Sequence, residues 1–170
     1  CVLPFVCHPR YEFLYGDMCD EAGLDRALAG VTAMVLLAGL VGDPITKKYP
    51  EAAAAINDVG VRTVLERCVG RGLQRVVFIS TCSNYGMIPA NATADEQFEL
   101  NPLSAYAKAK VTGEKRLLAG AGSVDYFGTV LRFATAFGLS PRMRFDLTVS
   151  EFTRTLQRGE HLLVFDAETW

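Results

Sequence analysis

The sequence has few of the features that mark metal-binding, disulfide-bonded or membrane proteins. Its five cysteines form no CxxC pair and no cluster with histidine, and they stand at Cys1, Cys7, Cys19, Cys68 and Cys82. Their odd number and irregular spacing argue against a disulfide framework or a zinc site, and favour a reducing compartment. No apolar run approaches the roughly 18 residues of a membrane span, and no signal-peptide pattern opens the sequence.

Positively and negatively charged residues are nearly equal in number. The net charge is −2, and the basic residues are scattered rather than gathered in a run. Nothing in this pattern indicates nucleic acid or an anionic membrane as a partner. We therefore expect a cytoplasmic protein with no metal site, no membrane contact and no bound nucleic acid.

The composition is that of an ordinary globular protein, since half of the 170 residues are apolar and 21% are charged. That length suits one domain. The chain opens with Cys1 rather than methionine, and it stops shortly after the strand-like run Leu162 to Phe165. Both ends look cut, so we expect a single domain, 1–170, that is a piece of a longer protein.

Short apolar runs alternate with longer helical patterns along the chain, which is typical of βαβ units around a parallel sheet. The predicted strands are 12–15, 33–38, 74–79, 126–133 and 162–165, and the second of these reads as buried on both faces. The predicted helices are 20–29, 50–69, 102–118 and 147–157. A long loop covers 81–101, and loops of this length are often functional. The predicted fold is α/β, with an open, doubly wound, mostly parallel sheet.

The most informative local pattern is Tyr106-Ala107-Lys108-Ala109-Lys110 on the third predicted helix. Positions i and i+4 share a helix face, so Tyr106 and Lys110 can point at one bound molecule. A nearby cation lowers the pKa of a tyrosine toward the range useful for proton transfer. The pair is an acid/base device in principle, but a Tyr-x-x-x-Lys spacing alone is common on solvated helix faces.

Polar and small residues follow the predicted strands where ligands bind in sheets of this kind, beyond the carboxyl ends. Asp17 follows the first strand, Ala38 and Gly39 follow the second, and Ser80 and Thr81 follow the third. Gly39 leaves room for a ligand to approach the backbone. Singly, each of these residues is ordinary turn chemistry, whereas the ordered set at matching strand ends favours a binding site.

In these pieces the chain resembles the extended short-chain dehydrogenase/reductases, specifically the NAD-dependent nucleotide-sugar epimerase/dehydratase group. The resemblance runs in order over nearly the whole sequence. Its matching motifs are Gly16-Asp17 with Asp20, residues 37–44, Ile56-Asn57 with Gly60, residues 77–81 leading to Tyr85-Gly86, Tyr106-x-x-x-Lys110 with Glu114, and Leu131-Arg132-Phe133 leading to Phe137-Gly138. It implies a Rossmann-type domain that lacks its N-terminal βαβ unit, with 139–170 leading into the substrate-binding part.

The resemblance also implies roles for single residues. Tyr106 would be the general acid/base, Lys110 would hold the nicotinamide ribose and lower the pKa of Tyr106, and Thr81 would be their hydroxyl partner. The cofactor would be NAD, with NADP left open. Its implied contacts are Asp17, Met18, Leu37, Ala38, Gly39, Asn57, Ser80, Tyr106, Lys110 and Phe133, with Asp17 on the adenine. Implied substrate contacts are Cys82, Ser83, Thr135, Arg142 and Arg144; for the two arginines, plain surface charge is an equal alternative.

Departures from the family pattern narrow the expected reaction. Dehydratases of the group carry an Asp-Glu pair directly after the threonine, and Cys82 and Ser83 stand there instead. Neither shuttles a proton as a carboxylate does, so 4,6-dehydration is not expected. What remains open is epimerisation of a nucleotide sugar, net reduction or oxidation of a ketone or sterol-like substrate, and, in another class, a non-catalytic dinucleotide-binding scaffold.

Two further expectations concern the polypeptide as a whole. The Gly-rich phosphate loop of the family has no counterpart in the sequence, so we expect the isolated 170 residues to bind NAD poorly and to be inactive. In family members the helices matching 50–70 and 102–118 form a dimer contact, so the resemblance implies a homodimer for the full-length protein.

Overall fold

The computed structural model describes residues 3–89 and 91–164, and for Leu3, Asp43 and Pro44 it describes the backbone alone. Two compact units emerge from the contacts within the chain. The larger comprises Leu14–Ile88 and Ala94–Phe133, and the smaller comprises Cys1–Phe13, Pro89–Thr93 and Ala134–Trp170. Within the described ranges, no helix is both long and apolar enough to cross a bilayer.

Strands and helices alternate as the sequence predicts. The strands are β1 (Ala33–Leu36), β2 (Arg75–Thr81) and β3 (Phe127–Phe133). The α-helices are α1 (Glu21–Ala27), α2 (Asp43–Lys48), α3 (Pro50–Ala54), α4 (Val61–Cys68), α5 (Ala105–Ala119) and α6 (Thr148–Gln157). A π-helix, Ala55–Gly60, joins α3 to α4, and short 3₁₀ turns cover Leu3–Phe5 and Cys82–Tyr85.

The three strands form one parallel sheet in the order β1-β2-β3, which confirms the predicted open α/β architecture. Parallel neighbours need crossover connections, and helices α2–α4 and α5 supply them here. In the register, Leu36 lies beside Phe78 and Phe78 beside Val130, while Thr81 at the end of β2 lies beside Phe133. The carboxyl ends of β2 and β3 therefore lie side by side.

The core lies on one face of the sheet. Alternate residues of β2, Val76 and Phe78, are fully buried and pack with apolar side chains of the helices. The remaining buried members of this cluster are Leu28, Leu36, Val61, Val64, Leu65, Cys68, Leu73 and Leu117. On the opposite face, Val35 is 55% exposed and Phe133 is 52% exposed. The prediction that the strand at 33–38 is buried on both faces is therefore wrong.

Helix α5 is fixed at its start and along its length. Ser104 caps it, since its hydroxyl accepts a hydrogen bond from the Ala107 amide at 3.1 Å. Gly113 lets the helix approach the sheet, because a Cβ at that position would lie 2.7 Å from Cζ of Phe78. The helix begins three residues later than the predicted 102, because the cap is Ser104 rather than Pro102.

Two predicted strands do not form among the described residues. Residues 12–15 form no strand, and Phe13, Leu14 and Tyr15 are exposed. Among the described residues β1 pairs with β2 alone, so this run has no neighbour with which to form a ladder. Leu162 to Val164 likewise lie outside any strand, while Phe165 falls outside the described residues. Helix α2, conversely, was not predicted.

Candidate active site

The end of β2 carries the candidate hydroxyl. Thr81 caps the 3₁₀ turn Cys82–Tyr85: its Oγ1 accepts a hydrogen bond from the Ser83 amide and donates one to Ser83 Oγ, both at 3.2 Å. Thr81 and Cys82 are half-buried, and Ser83 is exposed. The turn ends at Gly86, whose φ of +69° and close approach to the Asn101 carbonyl oxygen admit no side chain.

Helix α5 brings Lys110 to this strand, and Tyr106 lies one helical turn before it. Lys110 Nζ donates a hydrogen bond to the carbonyl oxygen of Ile79 at 2.7 Å, two residues before Thr81. The same nitrogen lies 4.7 Å from the ring centre of Phe78 and 5.8 Å from that of Tyr106. The i, i+4 spacing thus does place the Tyr106 ring beside the Lys110 ammonium, and Lys110 contacts the carboxyl-terminal half of β2.

The ammonium of Lys110 is held in an enclosed position, with the residue only 7% exposed. Burial lowers the pKa of Lys110, because removal from water disfavours the charged form, and the negative charge of Glu114 opposes that shift. A carbonyl oxygen, an aromatic face and a carboxylate therefore all support the cation in a site that would otherwise neutralise it.

Asn57 links the loop after β1 to the helix that follows. It lies in the π-helix, is 7% exposed, and pairs with both backbone groups of Leu40. The Leu40 amide donates to Asn57 Oδ1 at 2.7 Å, and Asn57 Nδ2 donates to the Leu40 carbonyl oxygen at 2.9 Å. Gly39 passes so close that a Cβ there would lie 3.1 Å from Asn57 Oδ1. Asn57 and Tyr106 also line one hollow of about 210 Å³.

The turn at Asp17 lies against the same π-helix. Asp17 is exposed, and its Oδ1 accepts a hydrogen bond from the Cys19 amide at 2.8 Å. Next to it, Met18 packs onto Gly60, where a Cβ would lie 3.0 Å from Met18 Cγ. Leu37 and Ala38, directly after β1, are both exposed. The structure therefore brings Gly39, which follows β1, and Met18, which precedes α1, against the same 55–60 segment.

The remaining predicted residues fall into two groups. Phe133 ends β3 beside Thr81 and belongs to the larger unit. Thr135, Arg142 and Arg144 belong to the smaller unit, and all three are exposed. Arg144 forms a two-pronged ion pair with Asp146, at 3.1 and 2.7 Å.

Sequence reasoning missed a buried polar network beneath this site. The carboxylate of Glu114 is its centre, and the residue is 1% exposed. Ser80 Oγ and Asn84 Nδ2 donate to Glu114 Oε1, and Arg132 donates to both oxygens, with Nη2 at 2.8 Å from Oε2. Arg132 also reaches the hydroxyl of Tyr85 at 3.3 Å. The ion pair with Glu114 raises the pKa of Arg132. One signal was available: Glu114 follows Lys110 by four residues and so shares its helix face.

Comparison with known families matches the model of the NAD-dependent epimerase/dehydratase family over residues 4–169. The chain belongs to this family. The match covers nearly the whole sequence, and it confirms the family inferred from the order of the motifs.

Individual family members differ in the reaction that they are named for. A dTDP-glucose 4,6-dehydratase of Streptomyces niveus is 30% identical over 158 residues, covering 92% of this chain and 46% of that protein. An uncharacterised UDP-glucose epimerase of Bacillus subtilis is 31% identical over 157 residues, covering 92% and 48%. A decarboxylating sterol-4-alpha-carboxylate 3-dehydrogenase of Mus musculus is 29% identical over 113 residues, covering 65% and 30%. The chain thus spans less than half the length of these relatives.

A solved structure supports the same fold. The crystal structure of a dTDP-glucose 4,6-dehydratase from Streptomyces venezuelae, determined with NAD bound, superimposes with a TM-score of 0.77 at 27% identity. The superposition covers 95% of this chain and 49% of that chain. The sheet and helices of the present chain are therefore those of a Rossmann-type domain.

Proposed function

We propose that this chain is the cofactor-side part of an epimerase-type oxidoreductase that acts on a hydroxyl of a nucleotide sugar. The observation that carries the proposal is the placement of Lys110 Nζ against the Ile79 carbonyl oxygen, 5.8 Å from the Tyr106 ring centre and two residues from Thr81. A phenol, a cation and a hydroxyl at one strand end form an acid/base set for moving the proton of an alcohol.

The donor groups of the larger unit fit NAD. An ammonium has three N–H donors, and Ile79 accepts from one of them, so Lys110 suits a ribose diol as well. Gly39 offers bare backbone, and the exposed carboxylate of Asp17 suits an adenine amino group. The further residues assigned to the cofactor in this proposal are Met18, Leu37, Ala38, Asn57, Ser80 and Phe133. When bound, NAD supplies the acceptor and donor of hydride.

The chain's own residues handle the proton. Tyr106, as phenolate, accepts the proton of the sugar hydroxyl and later returns it to the keto oxygen. Lys110 stabilises the phenolate by its charge, and Thr81 hydrogen-bonds the reacting oxygen. For epimerisation the keto group is reduced from its other face, so the sugar must turn while Tyr106 and Thr81 hold the same oxygen.

Dehydration is disfavoured, although two of the similar proteins are named dehydratases. Elimination of water across a carbon–carbon bond needs an acid and a base beside the sugar. The two positions after Thr81 hold Cys82 and Ser83, and neither is a carboxylate. Cys82 and Ser83, with Thr135, Arg142 and Arg144, are instead proposed to contact the substrate, where arginine suits a diphosphate.

A second candidate function is net reduction or oxidation of a ketone or sterol-like substrate. The similarity to the mouse sterol-carboxylate dehydrogenase favours it. In that case reduction would consume NAD(P)H, and oxidation would form it, in proportion to product. A non-catalytic dinucleotide-binding scaffold is the proposal of another class, and the presence of Thr81, Tyr106 and Lys110 together weighs against it.

Product analysis of the full-length protein separates these functions. The protein is incubated with NAD and either UDP-glucose or dTDP-glucose, and the sugar products and NADH are quantified. We expect interconversion of sugar epimers without net formation of NADH. A 4-keto-6-deoxy product would contradict the argument from Cys82 and Ser83. Stoichiometric turnover of the nicotinamide, with these sugars or with an added 3-hydroxysterol, would support the second candidate, and no turnover of any of these substrates with retained NAD binding would support the scaffold.

A further inference from the structure

The buried carboxylate of Glu114 ties together four separate pieces of the larger unit. Glu114 lies on α5, and the groups that donate to it come from the end of β2, from the 3₁₀ turn and from β3. These are Ser80 Oγ, Asn84 Nδ2 at 2.7 Å, and Arg132 Nε and Nη2 at 3.0 and 2.8 Å. A carboxylate this deeply buried persists only when its oxygens are well paired, so the four pieces are held in one arrangement.

Two of the residues that donate to Glu114 lie on either side of Thr81 in the sequence. Ser80 directly precedes it, and Asn84 lies in the turn that Thr81 caps. Asn84 is completely buried, and its Nδ2 also donates to Ser80 Oγ at 3.0 Å. The residues on either side of Thr81 are therefore bonded to each other as well as to Glu114. On the helix side, Glu114 stands one turn beyond Lys110, which stands one turn beyond Tyr106.

We propose that Glu114 is a positioning residue, which fixes the distance between the Thr81 hydroxyl and the helix that carries Tyr106 and Lys110. The proposal rests on the proposed function, because it assigns Glu114 a part in that reaction. Arg132 serves the network as the ion-pair partner of Glu114, and its contacts to Tyr85 Oη and to the Glu96 carbonyl oxygen, both at 3.3 Å, hold the arginine itself.

This role differs from simple stabilisation in what it predicts. The groups proposed to bind the cofactor at Asp17 and at 37–39 have no contact with Glu114 among the described hydrogen bonds. Weakening the network should therefore alter the alignment of Thr81 and leave the grip of Asp17 and residues 37–39 on the cofactor intact. A misplacement of the order of 1 Å at a reacting group costs about 100-fold in rate.

The test uses the full-length protein with Glu114→Gln and Asn84→Ala. Glu114→Gln removes the charge at almost constant shape, whereas Asn84→Ala removes one donor to Glu114 Oε1, leaves the Glu114–Arg132 ion pair in place and so carries the test if the first variant does not fold. Glu66→Gln is the control, since Glu66 is an exposed carboxylate on α4 paired with Arg62 at 4.0 Å. We expect kcat to fall by about tenfold or more, with KM for NAD close to that of the wild type.

Hydrogen exchange gives a second reading that does not depend on turnover. The Ser83 amide, bonded to Thr81 Oγ1, should exchange faster in both variants, and faster exchange should be confined to residues 80–86. If the wild type turns over no substrate, the proposed function fails, and this local exchange still decides whether Glu114 fixes Thr81. Wild-type exchange at 80–86, or an increase spread evenly over the chain, would overturn the proposal.

Discussion

Among single residues, the proposed site depends most on Lys110, whose ammonium group must keep its charge while buried. Its side chain could not keep its charge in an apolar pocket without support. The carbonyl oxygen of Ile79 accepts a hydrogen bond from its ammonium group, and the carboxylate of Glu114 offsets part of the cost of burial. These two contacts favour the charged form, which is the form proposed to stabilise the phenolate of Tyr106.

Replacement of Lys110 by methionine tests that burial through the pH dependence of stability. The folded pKa of Lys110 lies below its ordinary value of 10.5. Between those two values the unfolded chain binds more protons than the folded chain, so the stability of the wild type rises with pH relative to the variant. Urea unfolding of both proteins at about pH 8 and about pH 10 measures this difference. A difference in unfolding free energy that stays constant with pH would show that Lys110 is solvated.

Residue spacing foretold one part of the site and could not foretell another. Tyr106 and Lys110 are neighbours on a helix, so their proximity follows from a period of 3.6 residues. Glu114 and Arg132 meet only because α5 packs on β3, and Asn57 meets Leu40 across 17 residues of sequence. Such contacts follow from tertiary packing, which a single sequence does not display.

At the scale of elements, α5 is the part that makes the site possible. It packs on β2 and β3, carries Tyr106, Lys110 and Glu114 on one face, and approaches the sheet closely at Gly113. The buried residue opposite is Phe78, whose ring also lies beneath Lys110 Nζ. The height of the helix above the sheet therefore sets the position of the ammonium.

Gly113→Ala should destabilise the protein, even though alanine is the better helix former. The new methyl group would meet the ring of Phe78 in a packed core, and overpacking typically costs about 1–3 kcal/mol, against about 1 kcal/mol gained in helix propensity. We expect a net loss of about 1 kcal/mol by chemical denaturation. The control is Gly16→Ala, where a Cβ would have no neighbour within 4 Å. Equal stability of the two variants would contradict the close contact.

Elements were predicted well where local signals and packing agree, and poorly where a strand needs a partner. The helix from Pro50 was predicted from its apolar stripe, although the π-helix Ala55–Gly60 within it was not. Residues 12–15 have the pattern of a strand, yet a strand forms only beside another strand, and the described residues offer none there. The pattern of a segment cannot show whether its neighbour is present.

At the scale of the whole molecule, the association of two copies stays a prediction from the family resemblance. The surfaces concerned are the helices at 50–70 and 102–118. Within them Arg116 forms an ion pair with Asp58, which joins α5 to the π-helix, and Val59 and Leu118 are exposed apolar residues. Exposed apolar residues near paired charges are suited to a contact between proteins.

Light scattering of the full-length protein checks this prediction. We expect the mass of a dimer for the wild type, and a monomer for Val59→Asp, because a carboxylate buried at the contact would be desolvated without a partner. Leu156→Asp is the matched control, since Leu156 is an exposed leucine on α6, outside the predicted contact. A monomeric wild type, or a dimer that survives Val59→Asp unchanged, would contradict the prediction.

The central claim is that Tyr106 is the acid/base group of an NAD-linked reaction, and Tyr106→Phe in the full-length protein tests it most directly. The variant keeps the ring and loses only the hydroxyl. Calorimetric titration with NAD and a single-turnover measurement of hydride transfer are compared with Tyr49→Phe, a control at an exposed tyrosine. We expect NAD affinity close to wild type and hydride transfer reduced by at least about 100-fold. Hydride transfer at the wild-type rate in Tyr106→Phe would contradict the claim.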